Sequence, residues 1–201
     1  MVTEAETVGG VIRRRRMIRR YADRPVASEL VDELLGLALR APSAGFTQAV
    51  SWVVLTGDSV RRFWGLTSDG GNAWLEGMKT APVLLLAYTD ESAYRRRYAE
   101  PDKAWTELAE QPWSAPYWWV DAGMAAQNVL LGAEAQGLGA CFFGVPPDRQ
   151  DAVRDAFGVP EEQLSVGVIS LGWPAADERP IGSPRRRARR THDELIHREA
   201  W

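Results

Sequence analysis

The sequence predicts one folded domain of mixed helix and strand, and three observations support this prediction. The 201 residues match the usual size of a single domain. Short apolar runs typical of buried strands alternate with stretches whose apolar residues repeat at helical spacing. Neither an internal repeat nor a Pro-, Gly- or Ser-rich linker divides the chain. We therefore expect one domain over residues 1–201, with a basic C-terminal arm over residues 185–201.

The first half of the chain predicts four helices and two strands. Ser28 stands where an N-cap would, because its hydroxyl could accept a backbone N–H of the helix that follows. Residues 42–45, Pro-Ser-Ala-Gly, end that helix. The predicted helices cover residues 7–14, 28–40, 58–64 and 72–79, and the predicted strands cover residues 51–56 and 83–88.

The second half contains the helix that the pattern predicts most clearly. Apolar residues repeat at helical spacing from Tyr117 to Gln136, and small residues cover much of the remaining surface, so we expect this helix to be central. Residues 99–116 lack periodicity and predict a long loop, which in a compact domain usually has a function. Two strands and one helix complete the prediction, over residues 140–143, 164–171 and 147–157.

The composition excludes several classes of protein. An apolar share of 45% and a charged share of 25% are ordinary for a globular chain, so disorder is not the main state. The longest apolar run, residues 81–88, is far too short to cross a bilayer, and no apolar segment follows the first Met. We therefore expect a cytoplasmic protein without a membrane partner. One cysteine, Cys141, and two histidines, His192 and His197, exclude a disulfide scaffold and leave little material for a metal site.

The net charge of −3 conceals two basic ends and an acidic middle. Six arginines lie within residues 13–20 and five within residues 185–190, whereas residues 41–178 carry a net charge of −9. Such runs are typical of solvated tails, of nucleic-acid binding, or of one phosphate site built by both ends of the chain. The acidic overall charge and the absence of a nucleic-acid-binding motif disfavour nucleic acid as a partner.

The sequence contains none of the common catalytic motifs. The chain has no Gly-x-Gly-x-x-Gly after a strand, no Walker loop and no Gly-x-Ser-x-Gly elbow. Cys141 lies in an apolar stretch, where the expected role is that of a small buried hydrophobe. A chain this poor in catalytic side chains either binds a ligand or lets a cofactor perform the chemistry.

Four segments, taken in order and spacing, resemble the nitroreductase family of FMN-dependent oxidoreductases. They are residues 15–26 (Arg-Arg-Met-Ile-Arg-Arg-Tyr-Ala-Asp-Arg-Pro-Val), 42–48 (Pro-Ser-Ala-Gly-Phe-Thr-Gln), 137–144 (Gly-Leu-Gly-Ala-Cys-Phe-Phe-Gly) and the basic ending 187–201. The resemblance implies an α+β fold in which a central mixed, mainly antiparallel sheet is wrapped by helices. It also implies an intertwined homodimer with FMN at the subunit interface. The branch that the chain resembles most is common in high-GC actinobacteria, in keeping with 22 arginines against two lysines.

The resemblance assigns the FMN phosphate to both basic ends of the chain. Alternate positions of an extended segment point the same way, so residues 15, 17 and 19 can converge on one group. Met17 replaces the Ser that is usual in the family, so only its backbone N–H could contribute. If the alignment slips by one residue, Arg190 becomes a contact in the tail. The residues assigned to this end of the cofactor are Arg15, Arg16, Met17, Arg19, Arg187 and Arg189.

The flavin ring is assigned to two other segments. Phe46 replaces an Asn common in the family, so one polar contact is lost or becomes stacking, and Gln48 could instead stabilise its own loop. Backbone N–H groups near Gly144 would bond to flavin O4 and N5, and a glycine there permits close approach. Core packing is an equally good reading of the two phenylalanines before Gly144. The assigned residues are Pro42, Ser43, Ala44, Phe46 and Gln48 of one subunit and Cys141, Phe142, Phe143 and Gly144 of the other.

Aromatic residues around the long loop form the predicted substrate pocket. They are Trp105, Trp113, Tyr117 and Trp118, in a segment that lies near the face of the flavin in the family. Aromatic side chains there would stack a flat substrate. The alternative is that they anchor the core or a subunit interface, and Trp74 is a further candidate wall.

The resemblance therefore implies an FMN-dependent oxidoreductase that needs no catalytic side chain. NADPH or NADH would deliver hydride to flavin N5 in a ping-pong reaction, and electrons would then pass to a flat, electron-poor nitroaromatic, quinone or enone. Two alternatives stay open. One is other flavin chemistry, such as dehalogenation or dehydrogenation, and the other is a flavin-binding protein with little turnover.

Overall fold

The computed structural model describes residues 7–103, 113–179 and 186–201. Four strands form one sheet in the order β1-β2-β4-β3, and every neighbouring pair is antiparallel. The parallel contribution is an isolated bridge between Met17 and Ala140. The α+β fold with a mainly antiparallel sheet is thus confirmed, and that bridge accounts for its mixed character. The strands are β1 (Val50–Thr56), β2 (Val83–Thr89), β3 (Gly139–Phe143) and β4 (Leu164–Gly172).

Helices cover both faces of the sheet and build two apolar cores. On β2, Leu84 and Leu86 face one core, whereas Val83 and Leu85 face the other. All four side chains are at most 2% exposed, which explains why this strand reads as a continuous apolar run. The helices of the described residues are α1 (Val8–Arg14), α2 (Ser28–Ala38), α3 (Asp58–Thr67), α4 (Ala73–Met78), α5 (Glu91–Tyr98), α6 (Tyr117–Ala135) and α7 (Gln150–Ala156).

The central position predicted for the long helix is confirmed. Val129 and Ala133 of α6 are fully buried between α2 and the sheet. A Cβ on Gly132 would lie 2.7 Å from Leu37 Cδ1 and 2.8 Å from Leu34 Cδ2, so the small residue lets α2 pack closely. In the part of the chain that is described, no helix has both the length and the apolar character needed to span a bilayer.

The structure corrects the sequence predictions at three places. Ser28 is the first residue of α2 rather than its N-cap; Ala27 holds that position, and the Ser28 hydroxyl contacts Glu29 instead of a backbone N–H. The sequence analysis also missed α5, whose pattern shows no apolar face because Tyr94 is its only buried residue. The predicted helix over 147–157 begins with a 3-10 turn at Pro147–Arg149 before α7.

Candidate functional site

The basic segment after α1 runs along the free edge of β3. The Ile18 N–H donates to Ala140 O at 2.9 Å, and the Ile18 side chain is buried. Side chains on either side of it alternate as an extended segment requires. The half-buried positions are Arg15, Met17 and Arg19, and the exposed ones are Arg16 and Arg20.

Arg15 carries a buried guanidinium nitrogen that lacks a partner. Its Nη1 has no hydrogen-bond partner among the described residues. Burying a cationic donor without a partner is costly, so this position suits an anionic group. Arg19 contributes a second guanidinium, whose Nη1 donates to Met17 O at 3.4 Å. The Arg19 backbone N–H donates to Glu178 Oε1 at 3.3 Å.

Tyr21 anchors the basic segment to the sheet. Its hydroxyl donates to Ile18 O at 2.7 Å and lies 2.7 Å from Ser170 Oγ of β4. Burial raises the pKa of the Tyr21 phenol far above its usual value, although the hydrogen bond with Ser170 acts in the opposite direction. The phenol therefore stays protonated and can keep donating. Sequence reasoning missed this role; its signal was an aromatic ring inside a basic run.

Cys141 is a structural residue in this site. Its side chain is 2% exposed, and burial raises the pKa of its thiol, although Arg19 and Arg15 nearby lower it. A protonated, buried thiol is a poor nucleophile, so the expected role as a small buried hydrophobe is confirmed. No group of three or more His, Cys, Asp or Glu that could hold a metal occurs within residues 7–103, 113–179 and 186–201.

The end of β3 leaves room beside the backbone. A Cβ added to Gly144 would meet no atom within 4 Å, and the residue is exposed. The chain's own packing therefore does not require glycine there. Phe142 packs against Gly167, where a Cβ would lie 2.6 Å from its ring. Phe143 turns to the opposite core and stacks on Trp64, with ring centroids 5.5 Å apart and planes 11° from parallel.

A cavity of about 260 Å³ opens next to Phe143 and Gly144. It lies between α3, α4 and the end of β3. Its aromatic walls include Trp64 and Trp74, so the further candidate wall named from the sequence does line a cavity beside β3. The Trp74 ring meets Phe143 edge-on, with centroids 5.9 Å apart.

The segment 42–48 adopts a strained turn. Gly45, Phe46 and Gln48 have φ values of 63°, 57° and 55°, which is the left-handed region that non-glycine residues rarely occupy. Phe46 lies at the tip of this turn and is 74% exposed. The Gln48 side chain donates through Nε2 to Phe46 O at 3.4 Å, in keeping with the loop-stabilising alternative for this residue.

Buried groups of two helices hold this turn. The Asp121 carboxylate of α6 is 3% exposed and accepts the Ala44 N–H at 2.7 Å and the Tyr94 hydroxyl at 2.7 Å. Arg97 of α5 donates to Gly45 O at 2.8 Å. Strain that is fixed by surrounding contacts is typical of functional loops. Sequence reasoning missed Asp121, although a carboxylate among the apolar residues of the first turns of α6 was its signal.

The predicted substrate-pocket residues that the structure describes pack against one another, and Tyr98 connects them to the same turn. Trp118 is 8% exposed, and its ring contacts Trp113 with centroids 6.1 Å apart. Tyr98 contacts Trp113 at 4.7 Å, and its ring would lie 2.7 Å from a Cβ on Gly45. The structure thus gives this cluster a supporting role, and substrate contact remains a prediction. Trp105 lies outside the described residues.

The tail over residues 186–201 is exposed throughout. Side-chain contacts within the tail are local: the Thr191 N–H and hydroxyl both donate to the Glu194 carboxylate, and His197 packs on Trp201. Trp201 is fully exposed. Arg187 and Arg189 are exposed as well, so their approach to Arg15 stays a prediction.

Comparisons with known proteins identify similar sequences and folds. The family model described as "Nitroreductase family" matches residues 12–173. A Methanothermobacter thermautotrophicus protein described as an NADH dehydrogenase/NAD(P)H nitroreductase is 31% identical, over 94% of this chain and 85% of that protein. A 4-nitrobenzoate reductase from Nocardioides sp. is 32% identical, over 89% of this chain and 84% of that protein. The crystal structure of a Desulfovibrio desulfuricans nitroreductase in complex with FMN has a TM-score of 0.72 and 26% identity, and the match covers 96% of this chain and 97% of that one.

Proposed function

The chain belongs to the nitroreductase family, and from this premise we propose that it is an NAD(P)H-dependent FMN oxidoreductase that reduces a flat, electron-poor acceptor. The observation that carries the proposal is the buried Nη1 of Arg15, which has no partner among the described residues and lies beside Arg19 at the free edge of β3. The names of the relatives, which include an FMN reductase (NADPH), support the same activity.

The residues of this edge fit FMN. A phosphomonoester carries a charge of about −1.5 to −2 near neutral pH, so Arg15 and Arg19 suffice to neutralise it, and the tail residues Arg187 and Arg189 would close over it. The open space beside Gly144 would admit the flavin ring next to the backbone N–H groups that end β3. When bound, FMN accepts a hydride from NAD(P)H and passes electrons on to the acceptor.

The other residues of the site would position the cofactor and shield it. Protonated Cys141 contributes packing beneath the site, and Tyr21 fixes the basic segment. Phe46 is presented outwards, which suits a contact with a second copy of the chain. We propose a homodimer in which the turn at 42–48 completes the partner's site. Exposed apolar side chains would be covered by such a partner: Val8, Ile12, Val120, Leu195, Ile196 and Trp201.

Anaerobic reduction tests the proposal. The purified protein is loaded with FMN, separated from free flavin, and mixed with NADPH or NADH under nitrogen. We expect one nicotinamide to bleach the visible absorption of the bound flavin, and a nitroaromatic or quinone to restore it. Flavin that stays oxidised with both nicotinamides would instead support a flavin-binding protein with little turnover.

A further inference from the structure

We propose that a second cavity, between α3 and the C-terminal end of α4, binds the 2′-phosphorylated adenosine of NADPH and makes the enzyme prefer NADPH to NADH. The inference rests on the proposed function, because it chooses between the two electron donors of the same enzyme. It assigns this specificity to Arg61 and Lys79, two cations that lie outside the residues assigned to FMN.

This basic cavity adjoins the aromatic cavity beside Gly144. The two cavities share Trp64 and Ser68 as lining residues. A nicotinamide dinucleotide is a long ligand with a ring at each end, so one end can lie on the flavin side of Trp64 while the other lies in the basic cavity. The residues that line the basic cavity are Val60, Arg61, Trp64, Gly65, Ser68 and Lys79.

The size and walls of the basic cavity suit a purine and its sugar. Its volume is about 330 Å³, whereas roughly 150 Å³ is enough to hold benzene. A Cβ added to Gly65 would meet no atom within 4 Å, so that wall stays open. Trp64 is held in place by stacking on Phe143 and by edge-on packing with Phe63, with centroids 5.1 Å apart. Its indole is therefore a fixed aromatic wall against which a flat base can pack.

One buried donor of the lining is unused. Trp64 is 6% exposed, and its Nε1 has no partner among the residues that the structure describes. Ser68 cannot serve it as it stands, because its hydroxyl donates to the Trp64 backbone oxygen. A buried donor without an acceptor is costly, so a sugar or phosphate oxygen of a ligand would be a favourable partner for the indole N–H.

The charge of the lining favours a phosphate. Arg61 and Lys79 line the cavity, and neither Asp nor Glu does so among the described residues. Each cation pairs with a carboxylate three residues earlier in the chain, Arg61 with Asp58 and Lys79 with Glu76. Both pairs are largely exposed, and such pairs contribute little stability. A phosphate with a charge of about −1.5 to −2 can therefore bind both cations with little loss elsewhere.

The two nicotinamide donors differ at this end of the molecule. NADPH carries a phosphate on the 2′-oxygen of its adenosine ribose, where NADH carries a hydroxyl. Sites that select NADH commonly place a carboxylate on that hydroxyl, whereas sites that select NADPH place a cation near the phosphate. Two cations without a carboxylate in the described lining correspond to the second arrangement.

Substitution of the two cations tests the inference. With FMN-loaded protein under nitrogen, the bleaching rate of the bound flavin is followed against nicotinamide concentration. We expect R61Q and K79Q each to raise the half-saturating NADPH concentration about two- to fivefold, and R61Q/K79Q about tenfold. The half-saturating NADH concentration should stay unchanged. The control is R62Q: Arg62 also lies on α3, but it packs over the Phe157 ring and does not line the cavity.

A binding measurement separates this inference from the proposed function. Adenosine 2′,5′-bisphosphate carries the 2′-phosphate, adenosine 5′-phosphate lacks it, and neither transfers electrons. By calorimetry with oxidised, FMN-loaded protein we expect the bisphosphate to bind at least about tenfold more tightly, and R61Q/K79Q to remove most of this difference. Equal binding of the two probes, or an equal rise for NADPH and NADH in R61Q/K79Q, would overturn the inference. Failure of both nicotinamides to bleach the flavin would overturn the proposed function alone, because the bisphosphate still tests the cavity.

Discussion

At the scale of single residues, Arg15 provides the sharpest test of the phosphate site. Arg15→Gln removes the charge but keeps a shorter, polar side chain. A hydrogen bond to a charged group is worth about 1.5–3 kcal/mol, so we expect FMN affinity to fall about 10- to 150-fold in equilibrium dialysis. Arg19→Ala should weaken FMN binding comparably. Arg20→Gln is the control, because Arg20 is exposed and pairs with Asp177. An equal loss of FMN affinity in Arg20→Gln would contradict the assignment of Arg15 to the phosphate site.

Tyr21 leads to a prediction about alkaline stability. Tyr21→Phe leaves Ile18 O and Ser170 with one fewer partner, so it should cost about 1–2 kcal/mol of unfolding free energy at pH 7. The folded-state pKa of this phenol is raised above its unfolded value of about 10. Its contribution is therefore complete below pH ~10 and is lost as the pH rises beyond that value.

The urea midpoint of both proteins checks this prediction at pH 7 and again above pH 10. The difference between wild type and Tyr21→Phe should shrink at the higher pH, because the variant has no phenol to ionise at this position. Burial also raises the pKa of Tyr88 and Tyr94, but both residues are present in the two proteins, so their effects cancel. A difference between the two urea midpoints that grows with pH would contradict this role of the Tyr21 phenol.

Asp121 leads to a prediction about the turn at 42–48. Both hydrogen bonds end on Oδ2 of Asp121, and in Asp121→Asn this position becomes either a neutral amide oxygen, which accepts more weakly than a carboxylate, or an NH2 group, which faces two donors. We expect a loss of about 1–3 kcal/mol in unfolding free energy. Proteolysis within residues 42–48 should also become faster. Asp155→Asn is the matched control: its carboxylate is 79% exposed, so its effect should stay within about 0.5 kcal/mol.

At the scale of elements, a substitution at the end of β3 should change FMN affinity without changing the stability of the fold. Gly144→Ala places a methyl group where the chain itself leaves open space, so the thermal midpoint of the FMN-free protein should be unchanged. The same methyl group would project into the space assigned to the flavin, so FMN affinity should fall at least tenfold. Gly36→Ala in α2, which also meets no atom within 4 Å, is the control and should leave FMN affinity intact. Unaltered FMN binding in Gly144→Ala would mean that the ring lies elsewhere.

The same elements show what the sequence could and could not predict. A continuous apolar run revealed β2 and apolar residues at helical spacing revealed α6, because in each element the buried residues lie close together in the sequence. Neither pattern revealed α5, which is held by ion pairs such as Arg95–Glu91 and by a single buried ring, Tyr94. The alternation of residues 15, 17 and 19 was predictable from extended geometry. The clamp on the turn at 42–48 was not, since Asp121 is 77 residues from Ala44 and only tertiary packing brings them together.

At the scale of the whole molecule, the proposed homodimer would divide the site between two copies. Within one copy, Asp121 on α6 holds the turn at 42–48, while Arg15 lies at the free edge of β3. Phe46 points away from its own fold and is largely exposed. In a two-fold homodimer each copy gives its turn to the other and receives the other's turn in return. Arg15→Gln therefore damages the site that its own copy carries, whereas Asp121→Asn damages the partner's site.

Subunit mixing distinguishes a shared site from two separate ones. Arg15→Gln and Asp121→Asn proteins, each weakly active alone, are unfolded together at equal concentration, refolded with FMN and assayed. Half of the dimers formed at random would be mixed, and each mixed dimer would hold one site with both defects and one with neither. Activity should therefore recover to about a quarter of wild type, and neither variant refolded alone should recover. If Arg15 and the turn served the same copy's site, every site would keep one defect and mixing would restore nothing, which would confine the site to one chain.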